Sequence, residues 1–296
     1  MALRMGIDFG GSKIEHAVLA PGGAMVLRAR NETPPGYDGA VHSLVATVRA
    51  VEAQLGPVTV GIGIPGVISP ATGLVKNANS FCLNGHALDR DLAAALEREV
   101  RIENDANCFA LSEATDGAGA GARTVFGVII GTGCGAGIVV DGRVVAGRNR
   151  IAGEWGHNPL PWVTQADLPL PHCWCGQDGC LETLVCGPAL AADADGPGAR
   201  DASTLPARAA ANDTQATAAL ARHADRLARG LAQIVNLLDP DVIVLGGGLS
   251  NMDHLYTELP RLMARHVFSD TTSTPILRNR HGDSSGVRGA AWLWPG

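Results

Sequence analysis

Three cysteines and one histidine lie close together near the middle of the chain, and these side chains bind soft metal ions. Cys173, Cys175 and Cys180 fall within eight positions, and His157 lies sixteen positions upstream of the first. Three thiolates and one imidazole form a tetrahedral ligand set that suits Zn²⁺, and four protein ligands leave no open position for a reacting water. Free buried thiols are the alternative. We predict a structural zinc site that holds a short loop in place.

Three glycine-rich turns follow strand-like segments, at residues 10–11, 131–137 and 246–248. Glycine lets backbone N–H groups approach a phosphate, although a simple tight turn is the alternative for any single loop. The first turn is not a P-loop, because Ser12 stands where that motif requires lysine. The second leads into a hairpin-like segment, whereas a dinucleotide fingerprint requires a helix there. We therefore predict a nucleotide held between two hairpin turns, with the third loop at its adenosine end, and Asp8 as a ligand for Mg²⁺.

The elements that position these residues alternate between strands and helices, which indicates an α/β protein. Strand-like runs at 4–9, 14–19 and 24–27 return in the same order at 125–130, 138–140 and 144–145, which predicts two related domains. Apolar periodicity further predicts strands at 58–64, 100–102 and 241–245 and helices at 41–55, 89–96 and 220–238. Asp89 could cap the second of these helices, and Asp105 would lie at a strand-to-helix junction. We interpret residues 187–213 as a surface connection or a poorly defined helix.

The composition favours a globular protein without a nucleic-acid or membrane partner. The chain has 296 residues, a formal net charge of −6 and no run of Lys or Arg, so it lacks the positive footprint that those partners require. An apolar segment of signal-peptide or membrane-spanning length is not apparent, and we expect a cytosolic protein. Seven cysteines in a reducing compartment argue against a disulfide framework. Cys82, Cys108, Cys134 and Cys186 are expected in the core.

Six stretches in one order resemble the ROK family of bacterial sugar kinases and repressors. They are Asp8-Phe-Gly-Gly-Ser-Lys13, Glu103-Asn-Asp-Ala-Asn107, Gly131-Thr-Gly-Cys-Gly-Ala-Gly137, Gly153-Glu-Trp-Gly-His157, the cluster from Cys173 to Glu182, and Leu245-Gly-Gly-Gly248. The resemblance implies an actin-like ATPase (ribonuclease H-like) fold with two domains around a cleft. The small domain would span 1–116 and be completed by a C-terminal helix at about 284–296. The larger domain would span 117–283 and contain the zinc loop at 153–182.

Within that family the chain most resembles the fructokinase, or manno(fructo)kinase, branch, with the N-acetylglucosamine kinases as near neighbours. Residues 77–80, 83–85, 154–162 and 281–294 carry this finer resemblance. The chain departs from the usual pattern at Ser12, where threonine is usual, at Phe81-Cys82, which replace Thr-Trp near the expected sugar pocket, and at Cys186, which replaces serine. The family also implies a homodimer.

The implied activity is transfer of phosphate from MgATP to a hexose, with fructose 6-phosphate as the first expectation. An N-acetylglucosamine kinase, a glucokinase or a mannokinase are alternatives within the family. Alternatives of another class are a sugar-responsive transcriptional regulator and a zinc-stabilised sugar-binding protein without catalysis. The acidic charge and the seven residues before Asp8 argue against the regulator, and the retained Asp8, Asp105 and glycine turns argue against the binding protein.

The resemblance also assigns roles to individual residues. Asp105 is the expected general base, although it could instead only cap the helix that follows. The sugar is expected to contact Gly66, Asn79, Asn104, Asp105, Glu154, His157 and Glu182. The nucleotide and its metal are expected to contact Asp8, Gly10, Gly11, Ser12, Lys13, Gly131, Thr132, Gly133, Cys134, Gly135, Gly246, Gly247 and Gly248. We hypothesise that His157 binds the metal through one ring nitrogen and the sugar through the other.

Overall fold

The computed structural model describes residues 2–295, which form two five-stranded sheets and one two-stranded ribbon. The strands in chain order are β1 (Leu3–Phe9), β2 (Lys13–Leu19), β3 (Met25–Glu32), β4 (Val58–Ile64), β5 (Val67–Ile68), β6 (Val75–Lys76), β7 (Arg101–Asn104), β8 (Thr124–Ile130), β9 (Cys134–Val140), β10 (Arg143–Val144), β11 (Val242–Gly246) and β12 (Ile276–Arg278). The helices are α1 (Tyr37–Leu55), α2 (Leu88–Leu96), α3 (Asp105–Thr115), α4 (Glu182–Val185), α5 (Gly187–Asp195), α6 (Leu205–Ala210), α7 (Thr214–Leu238), α8 (His254–Met263) and α9 (Ser285–Trp292).

The two large sheets repeat one topology, which confirms the internal duplication predicted from the sequence. Their strand orders are β3-β2-β1-β4-β7 and β10-β9-β8-β11-β12. In each sheet three antiparallel strands lead into two parallel ones. The β1–β2 hairpin closes at the pair Phe9 and Ile14, and the β8–β9 hairpin closes at Ile130 and Cys134. Both glycine turns therefore lie at the ends of first hairpins. This is the two-domain α/β arrangement expected of an actin-like ATPase.

Helices α3 and α9 contact each other and join the two sheets. Helix α9 packs on β1 and β4, and α3 packs on β8 and β9. A Cβ atom at Gly289 would lie 1.6 Å from the carbonyl oxygen of Cys108, and one at Gly6 would lie 1.9 Å from that of Val287. The backbones of these elements therefore touch because glycine removes the side chain between them. The contact of α9 with the first sheet is the one that a C-terminal completion of the small domain requires; the domain boundaries themselves stay a prediction.

Residues 187–213 were predicted to be a surface connection or a poorly defined helix; they contain two well-formed helices, α5 and α6, joined by a loop, so the first alternative is wrong. Leu190 of α5 and Leu205 of α6 are buried in the core of the second lobe, the part of the fold built on the sheet β10-β9-β8-β11-β12; the first lobe is built on the other large sheet. The many alanines give this segment only a weak apolar periodicity, so the sequence pattern does not predict its helices. Packing against the core stabilises them. Helix α7 also begins earlier than predicted, at Thr214, because the Asp213 side chain accepts hydrogen bonds from the N–H groups of Gln215 and Ala216.

Helix α2 begins at Leu88, so the prediction that Asp89 caps it is wrong. Ala87 is the N-terminal flanking residue and its side chain makes no capping bond, while Asp89 lies inside the first turn. An acid in this turn still interacts favourably with the positive end of the helix. Among residues 2–295, none of the helices is both long enough and apolar enough to cross a membrane.

Candidate active site

Two neighbouring cavities open beside the β7–α3 junction, and most of the predicted site residues line them. The first cavity has a volume of about 720 Å³ and the second about 220 Å³. Predicted residues on the first are Gly66, Asn79, Asn104, Asp105, Gly131, Thr132, Gly133, Cys134, Gly135, Glu154, His157 and Glu182. Predicted residues on the second are Asp8, Asp105, Gly247 and Gly248. The first cavity thus collects all of the predicted sugar contacts.

Asp105 lines both cavities, so this residue lies where the two adjoin. It is the first residue of α3, but the helix is capped mainly by Asn104, whose Oδ1 accepts from the N–H groups of Ala106 (2.9 Å) and Asn107 (3.2 Å). The Ala106 N–H also donates to Asp105 Oδ1 at 2.8 Å. Burial raises the pKa of Asp105 from 3.8 to about 6, and the charge of Glu154 adds to the rise, while the bond from Ala106 opposes it. A carboxylate with such a pKa can accept a proton near neutral pH.

Asp8 lies near the end of β1 and lines the second cavity. Burial raises its pKa from 3.8 to about 7, and the negative charges of Asp105 and Glu15 raise it further. Glu15 is itself occupied, because its two carboxylate oxygens accept from Arg28 and Arg30. Two mutually repelling acidic residues that line one small cavity favour a bound cation there. Their oxygen donors fit Mg²⁺.

Glu154 reaches the first cavity because a glycine precedes it. Gly153 has a φ of +95°, and a Cβ atom there would lie 2.2 Å from the carbonyl oxygen of Ala136 in β9. Glycine is the residue that can adopt this positive φ while it contacts the backbone of a strand. Burial raises the pKa of Glu154, and the charge of Glu182 raises it further while His157 lowers it. The cavity wall therefore carries acidic groups suited to accept hydrogen bonds from hydroxyls.

Glu182 connects the loop 157–180 to the second glycine turn. Its Oε2 accepts from the backbone N–H of Cys134 at 2.9 Å, and its Oε1 accepts from Trp174 Nε1 at 2.9 Å. A carboxylate oxygen can accept more than one hydrogen bond, so these contacts leave room for a sugar hydroxyl. They also fix the direction of the side chain. Glu182 was predicted as a sugar ligand, and its contact with the β8–β9 turn is a feature that the sequence did not reveal.

The predicted metal ligands come together in the structure. The donor atoms of His157, Cys173, Cys175 and Cys180 all lie within 4.8 Å of one another. Cys175 Sγ is 3.5 Å from Cys180 Sγ, and Cys173 Sγ is 3.6 Å from His157 Nδ1. Neighbouring ligands of a tetrahedral Zn²⁺ are separated by about 3.5–3.8 Å, given bonds of about 2.3 Å to sulfur and about 2.0 Å to nitrogen. The cluster therefore fits a zinc site.

The orientation of His157 agrees with a double role. Its Nδ1 faces Cys173, so Nε2 is the ring nitrogen on the far side from the thiol cluster, and the residue lines the first cavity. The short 3₁₀ helix Trp155–His157 holds the ring, because Trp155 is buried against Phe126 in the core of the second lobe.

Sequence reasoning missed several residues that line the second cavity, among them Asn251, Asn279, Asp283 and Ser285. Ser285 Oγ donates to Glu113 Oε1 at 2.7 Å. Glu113 is fully buried, and its Oε2 accepts from the N–H groups of Ala118 (2.8 Å) and Arg280 (3.0 Å). The cavity residues are isolated polar positions in loops, in short 3₁₀ turns or, for Ser285, at the start of α9, so the sequence offers no spacing by which to find them.

Five predicted nucleotide contacts lie outside both cavities: Gly10, Gly11, Ser12, Lys13 and Gly246. The first four form the turn between β1 and β2, where the Gly10 N–H donates to the Lys13 carbonyl at 3.0 Å. A Cβ atom at Gly246 would lie 2.4 Å from the ring of Phe109, so this glycine has a packing role. A nucleotide contact at these five positions stays a prediction.

Comparison with known proteins gives one consistent family. Residues 4–296 match the ROK family model. The chain is 39% identical to an N-acetyl-D-glucosamine kinase of Yersinia enterocolitica, over 97% of this chain and 98% of that protein. Among solved structures, a ROK hexokinase from Thermus thermophilus is 31% identical with a TM-score of 0.85, over 98% of this chain and 96% of that one. A ROK family glucokinase from Streptomyces griseus, solved with glucose and AMPPNP, is 27% identical with a TM-score of 0.78, over 98% of each chain.

Proposed function

Since this chain belongs to the ROK family, we propose that it is an ATP-dependent kinase of N-acetylglucosamine. The observation that carries the sugar assignment is its 39% identity, over 97% of its length, to a kinase named for that sugar. This corrects the fructose expectation, because the relatives favour the alternative within the family. The physical reason is that these sugars differ at single positions of the ring. The geometry of the pocket distinguishes them, whereas the motifs shared by the family do not. The same relatives favour catalysis over a non-catalytic regulator.

In the proposed reaction the sugar occupies the first cavity and the triphosphate reaches Asp105 from the second. Asp105 takes the proton from the 6-hydroxyl while that oxygen attacks the γ-phosphorus, and ADP leaves. Asn104, Glu154 and Glu182 hold neighbouring polar groups of the sugar, so that the reacting hydroxyl is aligned with the carboxylate. Alignment of this kind supplies much of the acceleration in phosphoryl transfer. Support comes from the position of Asp105 on both cavities.

We further propose that Mg²⁺ binds beside Asp8 and that zinc binds His157 and the three clustered cysteines. When bound, Mg²⁺ neutralises charge on the phosphates. Zinc would have a structural role, holding His157 against the first cavity where the loop is too short to build a hydrophobic core. The homodimer, the cytosolic location and the exact domain boundaries stay predictions of the sequence.

A steady-state assay of ADP release with N-acetylglucosamine, glucose, mannose and fructose tests the proposal. We expect the highest kcat/KM with N-acetylglucosamine, and ³¹P NMR of the product should show a phosphate monoester on the primary 6-hydroxyl. Absence of sugar-dependent ADP release with all four sugars would refute the kinase assignment. A higher kcat/KM with one of the other three would refute only the sugar assignment.

A further inference from the structure

Two large aromatic side chains line the first cavity and are largely exposed. Phe81 is 84% exposed and Trp174 is 72% exposed. Within residues 2–295, no other large hydrophobic side chain that lines this cavity is exposed to a comparable degree. Uncovered aromatic rings at the wall of a cavity present an apolar surface to a ligand that enters it.

The two rings come from different lobes. Phe81 begins the 3₁₀ turn Phe81–Leu83, between β6 and α2 of the first lobe. Trp174 lies between Cys173 and Cys175, in the loop 157–180 of the second lobe. A ligand that contacts both rings is therefore held by both lobes at once.

The turn that carries Phe81 and the ring of Trp174 are held in place before any ligand arrives. Around Phe81, the side chain of Asn84 accepts from the Ala78 N–H at 2.9 Å and donates to the Ala78 carbonyl at 2.8 Å, while Leu83 is fully buried. Around Trp174, the indole N–H donates to Glu182, and the ring meets His157 edge-on at 4.9 Å between centroids. A surface ordered in advance loses little conformational entropy on binding.

We propose that Phe81 and Trp174 form an apolar subsite that receives the acetamido methyl group of the sugar, an inference that rests on the proposed function. The polar groups on the cavity wall suit hydroxyls, and the methyl group is the part of N-acetylglucosamine that gains from aromatic contact. Glucose has a hydroxyl at that carbon and no methyl group. The two rings therefore determine preference between these sugars, while Asp105 performs the same proton transfer on either.

The test compares the ratio of kcat/KM for N-acetylglucosamine to that for glucose across five proteins. Phe81→Ala and Trp174→Ala should each lower this ratio about 10-fold, the scale of one lost hydrophobic group in a binding pocket. Trp174→Phe removes the N–H donated to Glu182 but keeps an apolar ring, so it should retain most of the ratio. Phe268→Ala, at a side chain 99% exposed and outside the three described cavities, is the matched control and should equal the original protein.

The outcomes separate this inference from the proposed function. An original protein that does not prefer N-acetylglucosamine refutes the proposed function and the subsite with it. A protein that prefers N-acetylglucosamine, and whose two alanine variants keep the ratio within twofold, refutes the subsite alone. If Trp174→Phe lowers this ratio as much as Trp174→Ala does, the inference is also overturned. The lost hydrogen bond to Glu182, and not the lost apolar ring, would then be the cause. Calorimetric binding of each sugar without nucleotide should follow the same order.

Discussion

Replacing Asp105 with asparagine should lower activity and raise stability in the same protein. The pKa of this carboxyl is raised from 3.8 to about 6, mainly by burial. At about 1.4 kcal/mol for each tenfold change in proton affinity, the ionised form destabilises the fold by about 3 kcal/mol at most. Asparagine carries no charge, and its Oδ1 can still accept from the Ala106 N–H. We expect kcat to fall 10²–10⁴-fold, the usual contribution of a general base.

The pH dependence of this stability gain has a definite sign. The folded-state pKa lies above the unfolded one, so folding favours the protonated carboxyl. Below about pH 4 both states are protonated and the variant should match the original protein. The gain should grow as the pH rises from about 4 to about 6 and stay constant above that. Calorimetric melting temperatures at pH 4.5 and pH 8, without nucleotide or magnesium, measure the difference.

Asp38→Asn is a matched control, because Asp38 is an exposed acid in the first turn of α1. It should change neither kcat nor the pH dependence of melting. If Asp105→Asn keeps kcat within tenfold of the original, Asp105 is not the base. If its melting temperature at pH 8 does not exceed that of the original, the argument from burial is wrong.

Three further predictions concern other parts of the site. Because the pKa of Asp8 is about 7 and that of Asp105 about 6 in the ligand-free protein, the KM for MgATP should rise below pH 7 and kcat/KM for the sugar should fall below pH 6; flat profiles from pH 8 to 5.5 would contradict this. Cys180→Ser should lower the metal content by elemental analysis and raise the sugar KM at least tenfold, whereas Cys186→Ser, which introduces the serine usual in the family outside the cluster, should do neither. Glu113→Ala removes the acceptor for Ser285 Oγ and two N–H groups, so we expect a higher ATP KM with an unchanged sugar KM; Glu113→Gln, which can still hydrogen-bond, should be milder.

Much of the fold followed from the sequence because its signals are local. The two hairpins with glycine turns, the buried strand β4 and the helix α7 each carry an apolar period or a glycine bend that one segment can show by itself. For residues 187–213 the sequence left a surface connection and a poorly defined helix open, because alanine favours helix without marking a buried face. The sequence showed that the hairpin pattern occurs twice, but it did not give the order of the strands within each sheet.

The candidate site divides along the same line. The cluster of His157 and three cysteines could be predicted because donor type and spacing are visible in the sequence, and the structure brings the four together. Residues such as Asn279 and Ser285 reach the second cavity only through packing between distant segments. The sugar was first expected to be fructose. The motifs that the family shares identify the residues for phosphoryl transfer, but they do not determine the shape of the sugar pocket.

The crossing of α3 and α9 limits how this enzyme can be redesigned. Gly289 leaves no room for even one methyl group above Cys108, and Cys108 lies one helical turn from Asp105. A larger residue at Gly289 would displace α3, which carries Asp105, the proposed base, and so should lower turnover for every acceptor. Libraries intended to alter sugar preference should therefore vary the walls at Phe81 and Trp174 and leave the crossing untouched.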